Sequence, residues 1–328
     1  MKEFDTQQIF TISNAYDFDN LALNVFRFQY ENNQVYKQFC DHLKKSPQNV
    51  HHHLEIPFLP ISFFKTHNVL STQKEAKTIF TSSGTTQSVT SKHFVPDIKL
   101  YQASFLKAFK QFYGSPKDFC VLALLPSYLE RKGSSLIYMV NSLIEKSEHP
   151  NSGFYLHNLE ELRQKLQELE QNGTKTLLIG VSFALLDLAE QFPTALENTI
   201  VMETGGMKGR RKELIREELH QILKQGLGVY KIHSEYGMTE LLSQAYSKGD
   251  GIFLTPPWMK VITRDTEDPL TIQPNGKTGG VNIIDLANLY SCSFIATQDL
   301  GKTYPNGSFE VLGRFDDSDI RGCNLMVL

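Results

Sequence analysis

The sequence predicts an α/β protein with mixed, largely parallel sheets covered by helices and a small β-rich subdomain at its C-terminal end. Two patterns in the 328 residues support this prediction. Strand-like and helix-like stretches alternate from about residue 77 to residue 235, and short strands bounded by turns replace them after about residue 250. Such alternation is typical of parallel strands joined by crossover helices. We therefore divide the chain into an α/β core, residues 1–250, and a β-rich subdomain, residues 251–328.

Each element of the alternating region has its own sequence signal. The apolar, β-rich stretches predicted as strands are Lys77–Thr81, Phe119–Leu125, Thr176–Gly180, Thr199–Glu203 and Gly228–His233. The amphipathic stretches predicted as helices are Ile98–Phe112, Ser135–Lys146, Leu159–Asn172, Phe183–Phe192 and Arg211–Lys224. Residues 1–55 are predicted to be helical, with an aromatic inner face. Because ligands of open parallel sheets bind at the carboxyl ends of the strands, the loops that follow these strands are where chemistry is expected.

The composition excludes several classes of protein. A net charge of −3 gives no general attraction to nucleic acid or to an anionic membrane, so we expect no nucleic-acid partner. No apolar run approaches the ~18 residues that span a bilayer, so stable membrane insertion is not expected. The 4 cysteines are scattered and form no CxxC pair, which indicates reduced thiols in a cytoplasmic protein.

A hydroxyl-rich loop, TSSGTTQS at residues 81–88, follows the strand that ends near Phe80. Its glycine lets the backbone approach a ligand closely, and its N–H and hydroxyl groups can surround phosphate oxygens. The GxxxxGK[ST] pattern of the common phosphate loop is absent. Alone, the loop is equally consistent with a solvated turn.

Three further motifs follow in order: YGMTE at residues 236–240, TQDLG at 297–301 and GRFDD at 313–317. Together with the hydroxyl-rich loop, they resemble the signature of the adenylate-forming superfamily, which includes acyl-CoA synthetases, luciferases and adenylation domains. The resemblance covers about residues 77–322, most of the chain.

Other segments resemble one family within that superfamily more closely. These are IPFLPISFFK at residues 56–65, SKH at 91–93, ETGGMKGRR at 203–211 and IRGCNLMV at 320–327. They look like the acyl-protein synthetase family, whose best-known member serves the fatty-acid reductase of bacterial luminescence. The resemblance implies that a small-molecule carboxylic acid, of the fatty type, is converted to an acyl-adenylate with ATP. The aromatic content of 11% permits a fatty or an aryl acid. It further implies that the acyl group passes to a cysteine of the chain and then to an acyl-accepting reductase or carrier protein.

Two features depart from the superfamily pattern. Gln87 stands where a third glycine is usual, which makes the loop backbone less free. The usual separate C-terminal domain, with its catalytic lysine, has no counterpart in the sequence. Since coenzyme A ligation uses that domain, transfer to a protein thiol is the favoured outcome.

The resemblance implies a site for ATP and Mg²⁺. Thr239 would hydrogen-bond the α-phosphate, and Glu240 would offer a hard oxygen ligand to Mg²⁺. The alternative for Glu240 is an ordinary glutamate in the first turn of a helix, where its charge is favourable. The loop residues assigned to the nucleotide are Ser82, Ser83, Gly84, Thr85 and Thr86.

The remaining assignments concern the nucleoside. Asp299 would accept the ribose hydroxyls, although a residue that caps a tight bend is the alternative, and Arg314 would make a second ribose or phosphate contact. Gly205 and Gly206 would let an adenine ring lie flat against the backbone. The YGMTE motif adds Tyr236 and Gly237.

Two features upstream of these motifs have competing interpretations. His233 is assigned as a catalytic residue near the acyl carboxylate, or else it is a buried, hydrogen-bonded histidine. The basic residues around Arg211 fall at the start of a predicted helix, where positive charge opposes the helix dipole. They form either a solvated run or a site for an anion such as pyrophosphate.

Cys323 is predicted to be the acyl acceptor, because a thiol forms an activated thioester. Arg321 beside it can lower the pKa of the thiol, and its position matches the reactive cysteine of the family. The alternative is a small apolar residue in the last strand. Cys120 lies in an apolar run, Cys292 in a strand and Cys40 in an N-terminal helix outside every motif.

Three rival functions remain open. The first is a coenzyme A ligase, and the second is a non-catalytic nucleotide-binding protein. The third is a serine hydrolase, because Gly180-Val181-Ser182 loosely resembles the start of a GxSxG elbow. The second glycine of that elbow is missing.

Overall fold

The computed structural model describes residues 4–82, 89–125, 133–156, 158–205, 211 and 214–314. Within these ranges, the chain forms two compact units. The first unit takes its residues from 1–104, 239–243 and 254–328, and the second from 105–238 and 244–253. Our division at residue 250 is a different partition of the chain and stays a prediction.

The helices connect and flank the strands of both units. Their bounds are α1 (Ala15–Asn32), α2 (Gln34–His42), α3 (Phe63–Thr66), α4 (Ile98–Tyr113), α5 (Ser135–Ser147), α6 (Leu159–Gln171), α7 (Ser182–Gln191) and α8 (Arg216–Leu227). Within the described residues, none of these helices has the length and apolar character needed to cross a membrane.

The strands are short, as is usual in globular proteins. Their bounds are β1 (Leu59–Pro60), β2 (Thr78–Thr81), β3 (Lys92–Val95), β4 (Cys120–Leu124), β5 (Gly153–Tyr155), β6 (Thr176–Val181), β7 (Thr199–Thr204), β8 (His233–Tyr236), β9 (Ala245–Ser247), β10 (Ile252–Leu254), β11 (Met259–Arg264), β12 (Thr278–Asp285), β13 (Phe294–Thr303) and β14 (Phe309–Arg314).

The second unit contains the parallel sheet that the sequence predicts. Its strand order is β10-β9-β8-β7-β6-β4-β5. Strands β5, β4, β6, β7 and β8 are parallel neighbours, and β9 is antiparallel to β8. β4 and β6 are buried along their whole length, as expected when helices cover both faces of a sheet.

The first unit contains the β-rich part of the chain. β11, β12, β13 and β14 form an antiparallel meander, and the short strand β1 pairs in parallel with β13. β2 and β3 form a separate antiparallel hairpin, so the strand before the hydroxyl-rich loop does not join the parallel sheet. The predicted fold class, a mixed α/β protein with a β-rich C-terminal part, is confirmed.

The N-terminal helices pack with the aromatic inner face that the sequence predicts. Phe26 and Tyr36 are fully buried, and the ring of Tyr36 stacks on Phe294 with a centroid distance of 6.1 Å. Gln29, also buried, donates its amide to the carbonyl oxygens of Asn288 and Leu289 at 3.1 and 2.9 Å. Helix α1 thereby fixes the turn between β12 and β13.

Two predicted boundaries in the second unit were wrong. The helix expected over 211–224 begins at Arg216, where Glu217 and Glu218 occupy the first turn and favour the helix dipole. Arg211 lies outside the helix and binds Glu190 at 2.9 Å as well as Asp187, so its charge is paired.

The strand expected over 228–233 instead begins at His233, because Gly228 adopts a φ of 62° and ends α8.

Candidate active site

The backbone of Thr239–Ser243 is held by buried polar side chains of the first unit. His93 Nδ1 lies 2.8 Å from the carbonyl oxygen of Thr239, and Asn288 Nδ2 donates to the carbonyl oxygen of Glu240 at 2.7 Å. The Asp285 carboxylate accepts the N–H groups of Leu242 and Ser243 at 2.7 and 2.9 Å. We call His93, Asp285 and Asn288 the backbone clamp.

Asn288 has a fixed orientation in the backbone clamp. Its Nδ2 also donates to the carbonyl oxygen of Cys292 at 2.9 Å, so its Oδ1 faces His93 Nε2, also at 2.9 Å. His93 is fully buried, and this burial lowers its pKa to about 4. The neutral ring therefore carries a single N–H at pH 7 and supplies one hydrogen bond to its two acceptors.

Asp285 is the charged member of the backbone clamp. It ends β12 and is fully buried, and burial raises its pKa to about 6 even though it accepts hydrogen bonds from Leu242, Ser243 and Ala287. The Ser243 hydroxyl adds a fourth, at 2.6 Å from Asp285 Oδ1. A carboxylate held by this many donors ties the end of β12 firmly to the segment that begins at Thr239.

The Glu240 side chain is buried, with 5% of its surface exposed. Burial raises its pKa, while a hydrogen bond to Ser91 and the charges of Arg314 and Lys65 oppose that rise. A desolvated carboxylate favours a nearby cation, and its oxygens are hard ligands. The side chain therefore fits the ligand type that Mg²⁺ prefers.

Asp299 and Arg314 are brought together across the antiparallel pair β13–β14, where they are register partners. Arg314 Nε donates to Asp299 Oδ1 at 3.2 Å. The Asp299 side chain is 9% exposed and the Arg314 side chain 73%. Because one partner is in solvent, the pair contributes little to stability, and the arginine is free to reorient.

A buried arginine binds the backbone at the first residue of the TQDLG motif. Arg264, at the end of β11, donates to the carbonyl oxygens of Val281 at 2.8 Å and Thr297 at 2.6 Å and to Asn282 Oδ1 at 2.8 Å. Burial lowers its pKa to about 10. These bonds tie β11, β12 and β13 together two residues before Asp299.

In the second unit, Ser182 and Glu203 organise the turn at Gly205. The Ser182 hydroxyl donates to the carbonyl oxygen of Gly205 at 2.6 Å and lies 3.3 Å from Glu203 Oε2. Gly205 has a φ of 72°, a conformation that favours glycine. The Ser182 hydroxyl thus serves as a hydrogen-bond donor to the backbone, whereas a serine hydrolase would need it as a nucleophile.

Glu203 itself is paired from the other side. Arg216 Nη1 donates to Glu203 Oε1 at 3.1 Å, and His220 Nε2 lies 3.6 Å from the same oxygen. Burial alone would raise the pKa of Glu203, but His220, Arg216 and Ser234 hold it below its ordinary value. Helix α8 is anchored to the carboxyl end of β7 through these contacts.

His233 lies at the amino end of β8, three residues before Tyr236. Its Nδ1 is 3.2 Å from the hydroxyl of Tyr113. Burial, together with the charges of Lys248 and Lys231, lowers its pKa to about 4. Its assignment as a catalytic residue stays a prediction.

Tyr236 ends β8, with its ring 5.9 Å from that of Phe253, and Gly237 follows it. Ser82 closes the β2–β3 hairpin, where its Oγ accepts the N–H of Ser91 at 2.9 Å. The nucleotide-binding roles of these three residues, like those of Gly205, Thr239, Asp299 and Arg314, stay predictions. The assigned residues that fall outside the described ranges are Ser83, Gly84, Thr85, Thr86, Gly206 and Cys323.

Sequence reasoning missed the backbone clamp. His93 belongs to the SKH segment, whose only signal in the sequence is a family resemblance. Asp285 was visible as a lone acidic residue at the end of the apolar run VNIID, and Asn288 as a polar residue three positions later. Buried polar residues at strand ends are the signal that could have found them.

A model of the family described as "Acyl-protein synthetase, LuxE" matches residues 12–328. The chain belongs to this family. The predicted family is therefore confirmed, and with it the predicted enzyme class, an acid–thiol ligase of the acyl-protein synthetase type.

Two curated relatives of this acyl-protein synthetase are both named long-chain-fatty-acid–luciferin-component ligase. The Vibrio harveyi protein is 23% identical over 331 residues. The match covers 93% of this chain and 85% of the relative. The Aliivibrio fischeri protein is 25% identical over 340 residues. The match covers 94% of this chain and 86% of the relative.

Two of the solved structures that share the fold of this chain are MatB and a CoA ligase. ATP-bound MatB from Rhodopseudomonas palustris has a TM-score of 0.55 at 17% identity, and the match covers 75% of this chain but only 48% of MatB. The chain thus spans about half the length of MatB. 2-Hydroxyisobutyryl-CoA ligase with 2-HIB-AMP and CoA has a TM-score of 0.69 at 13% identity, over 96% of this chain and 74% of the ligase.

Proposed function

We propose that this protein activates a carboxylic acid with ATP as an acyl-adenylate and then transfers the acyl group to a cysteine thiol. The observation that carries the proposal is the backbone clamp, which fixes Thr239–Ser243 through buried hydrogen bonds. Buried polar groups are costly unless paired, and their concentration on one short segment favours a segment whose exact position matters. Membership of the acyl-protein synthetase family supports the same chemistry.

In the first step, a carboxylate oxygen of the acid attacks the α-phosphorus of ATP, and the bond to the bridging oxygen of pyrophosphate breaks. Two anions must approach each other, so the protein has to supply donors and positive charge. Thr239 donates its hydroxyl to an α-phosphate oxygen, Asp299 accepts from the ribose hydroxyls, and the exposed Arg314 turns from Asp299 towards a phosphate or ribose oxygen.

Glu240 would hold Mg²⁺, which its buried carboxylate fits. The chemistry that Mg²⁺ supplies when bound is neutralisation of phosphate charge. Ser91 keeps the Glu240 side chain in place through its hydrogen bond. ATP as the nucleotide is supported by the ATP-bound state of MatB, which shares the fold.

In the second step, the sulfur of Cys323 attacks the acyl carbon of the adenylate, AMP leaves, and the thiol proton goes to solvent. The three cysteines within the described residues are all buried. Burial raises the pKa of Cys40 to about 12 and also raises those of Cys120 and Cys292, so none of them readily forms a thiolate. These observations favour Cys323 as the acceptor.

The names of the two curated relatives support a fatty acid as the substrate class and a protein of the luciferin system as their partner. By analogy, we propose an acyl-accepting reductase or carrier protein as the partner of this chain. The cytoplasm, with its reducing conditions, is the proposed location.

The test is acid-dependent exchange of labelled pyrophosphate into ATP, screened over fatty and aromatic acids. We expect exchange with at least one acid and a hydroxylamine-sensitive acyl label on the chain. Cys323→Ser should keep exchange and lose the label, whereas the control Cys40→Ala should keep both. No exchange with any acid contradicts adenylation, and a label that survives Cys323→Ser places the acceptor elsewhere. Formation of a coenzyme A thioester without a protein label would favour the coenzyme A ligase instead.

A further inference from the structure

A cluster of hydrogen-bond acceptors lies at the carboxyl end of the parallel sheet in the second unit. Thr204 and Glu235 are register partners at the ends of β7 and β8, and Glu235 Oε2 accepts the Thr204 hydroxyl at 2.5 Å. Gln244 immediately precedes β9, which pairs with β8. Carboxyl ends of parallel strands are where ligands of such sheets bind.

Gln244 presents a buried acceptor oxygen that has no donor in the part of the chain that the structure describes. Gln244 is only 3% exposed, and its Oε1 has no hydrogen-bond partner among the described residues. Buried amide oxygens are nearly always paired in native structures, so an unpaired one calls for an explanation. A donor supplied by a bound ligand is one such explanation.

Gly237 brings Gln244 and Glu235 together. A methyl group at Gly237 would lie 2.5 Å from Glu235 Oε1 and 3.4 Å from Gln244 Cγ. Both side chains therefore pass close to the bare Cα of this glycine, at the end of β8. Glu235 is 8% exposed, and burial together with the charge of Glu203 raises its pKa to about 7. Glu235 is thus a buried carboxyl beside Gln244, and a donor on a ligand would stabilise its charged form.

The nucleotide and the carboxylic acid can lie on opposite faces of β8. Successive side chains of a strand point to opposite faces, so Glu235 and Tyr236 face opposite ways. Tyr236 packs near Phe253, which itself lies 5.0 Å from the guanidinium of Arg216 on α8. Glu235 shares its face with Thr204. If Tyr236 serves the nucleotide, as the motif implies, the face of Glu235 is left for the acid.

We propose that Glu235 and Gln244 form a specificity subsite for an N–H or O–H donor on the carboxylic acid. The substrate class is then a hydroxy- or amino-substituted acid, and an unsubstituted hydrocarbon chain is discriminated against because it leaves Gln244 without a partner. This inference rests on the proposed acid activation and goes beyond it by naming a substituent. A site built to bond a substrate hydroxyl rejects the analogue that lacks it.

The experiment compares matched acids in pyrophosphate exchange, for example a 3-hydroxy fatty acid with its unsubstituted counterpart, and 4-hydroxybenzoate with benzoate. For the unaltered protein, we expect kcat/KM to favour one substituted acid by about 10-fold or more, the order expected when a buried acceptor is left unpaired. Gln244→Leu should remove most of this preference, and the KM for ATP should stay within about 2-fold. Gln244→Glu keeps an acceptor at the same place and should retain the preference.

Three outcomes decide the matter. Preference for the unsubstituted acids in the unaltered protein overturns the subsite and leaves acid activation intact. A Gln244→Leu variant that raises the KM for ATP and keeps the acid preference also overturns it, since the cluster would then serve the nucleotide. Absence of exchange with every acid refutes the activation reaction itself, and the subsite with it. If Gln244→Leu does not fold, Glu235→Gln replaces it: this variant, which loses the carboxylate, should weaken the acid preference that Gln244→Glu retains. Equal preference in Glu235→Gln and the unaltered protein overturns the subsite.

Discussion

Replacement of His93 by phenylalanine tests whether the backbone clamp positions Thr239. Phenylalanine keeps an aromatic ring but donates no hydrogen bond. Whichever buried oxygen accepts the single ring N–H of His93, that of Thr239 or Oδ1 of Asn288, therefore loses this donor. An unsatisfied buried acceptor costs about 1–3 kcal/mol. We therefore expect His93→Phe to lower the free energy of unfolding by that amount, measured by urea denaturation.

The effect on catalysis should be larger than the effect on stability suggests. If Thr239 shifts by about 1 Å, a loss of up to ~100-fold in rate is the expected order, because donors must meet the transition state closely. We expect kcat of pyrophosphate exchange to fall by about 10- to 100-fold, with a smaller change in the KM for ATP. The matched control is His93→Asn, whose side-chain amide can reach the position of Nδ1 and donate to Thr239, and we expect it to recover most of kcat.

The same residue predicts an acid sensitivity with a defined sign. The pKa of His93 is lowered from 6.5 to about 4 in the folded state. Its contribution to stability is therefore complete above pH 6.5 and is lost as the pH falls towards 4, a total of about 3 kcal/mol at ~1.4 kcal/mol per pKa unit. His93→Asn should flatten stability over this range. Unchanged kcat in His93→Phe, or equal damage in both variants, would refute positioning and leave only packing of the ring against Phe64, 5.8 Å away.

Three further predictions concern other parts of the site. Asp299→Ala should weaken ATP binding by about 10- to 100-fold through loss of charge-assisted hydrogen bonds, whereas Arg314→Met, at an exposed side chain, should cost less; equal ATP affinity of Asp299→Ala and the unaltered protein in titration calorimetry contradicts the ribose assignment. Glu235 has a pKa raised from 4.5 to about 7. Its contribution to the free energy of unfolding is therefore complete below pH 4.5 and is lost as the pH rises through 7. Glu235→Gln should therefore be more stable than the unaltered protein at pH 8, by up to about 3 kcal/mol, and equal at pH 4; equal urea midpoints at pH 8 refute this. Arg264→Met should lower the free energy of unfolding by about 1–3 kcal/mol, because the carbonyl oxygen of Thr297 loses this donor, whereas that of Val281 keeps the Thr297 hydroxyl at 2.9 Å; an unchanged melting curve contradicts this.

Much of the fold was predictable from sequence because its signals are local. The fully buried strands β4 and β6 are continuous apolar runs, and the helices between them show apolar residues at helical spacing, so their ends were predicted to within about two residues. Prediction was worse near residues 205–236, where the strand expected over 228–233 proved to start at His233. There, Gly228 terminates a helix with a left-handed turn, and the β-favouring residues Val229, Tyr230 and Ile232 that follow it look like a strand in the sequence.

By itself, the sequence determined the family and the class of chemistry, because four ordered motifs carry their meaning in residue type and spacing. Only the tertiary structure decided which side chains hold those motifs in place. His93 and Thr239 are 146 residues apart, and Asn288 reaches Glu240 across 48. No periodicity connects such positions. Their hydrogen bonds exist because burial removes water and forces each polar group to find a partner inside the protein, and that pairing is a property of the folded chain alone.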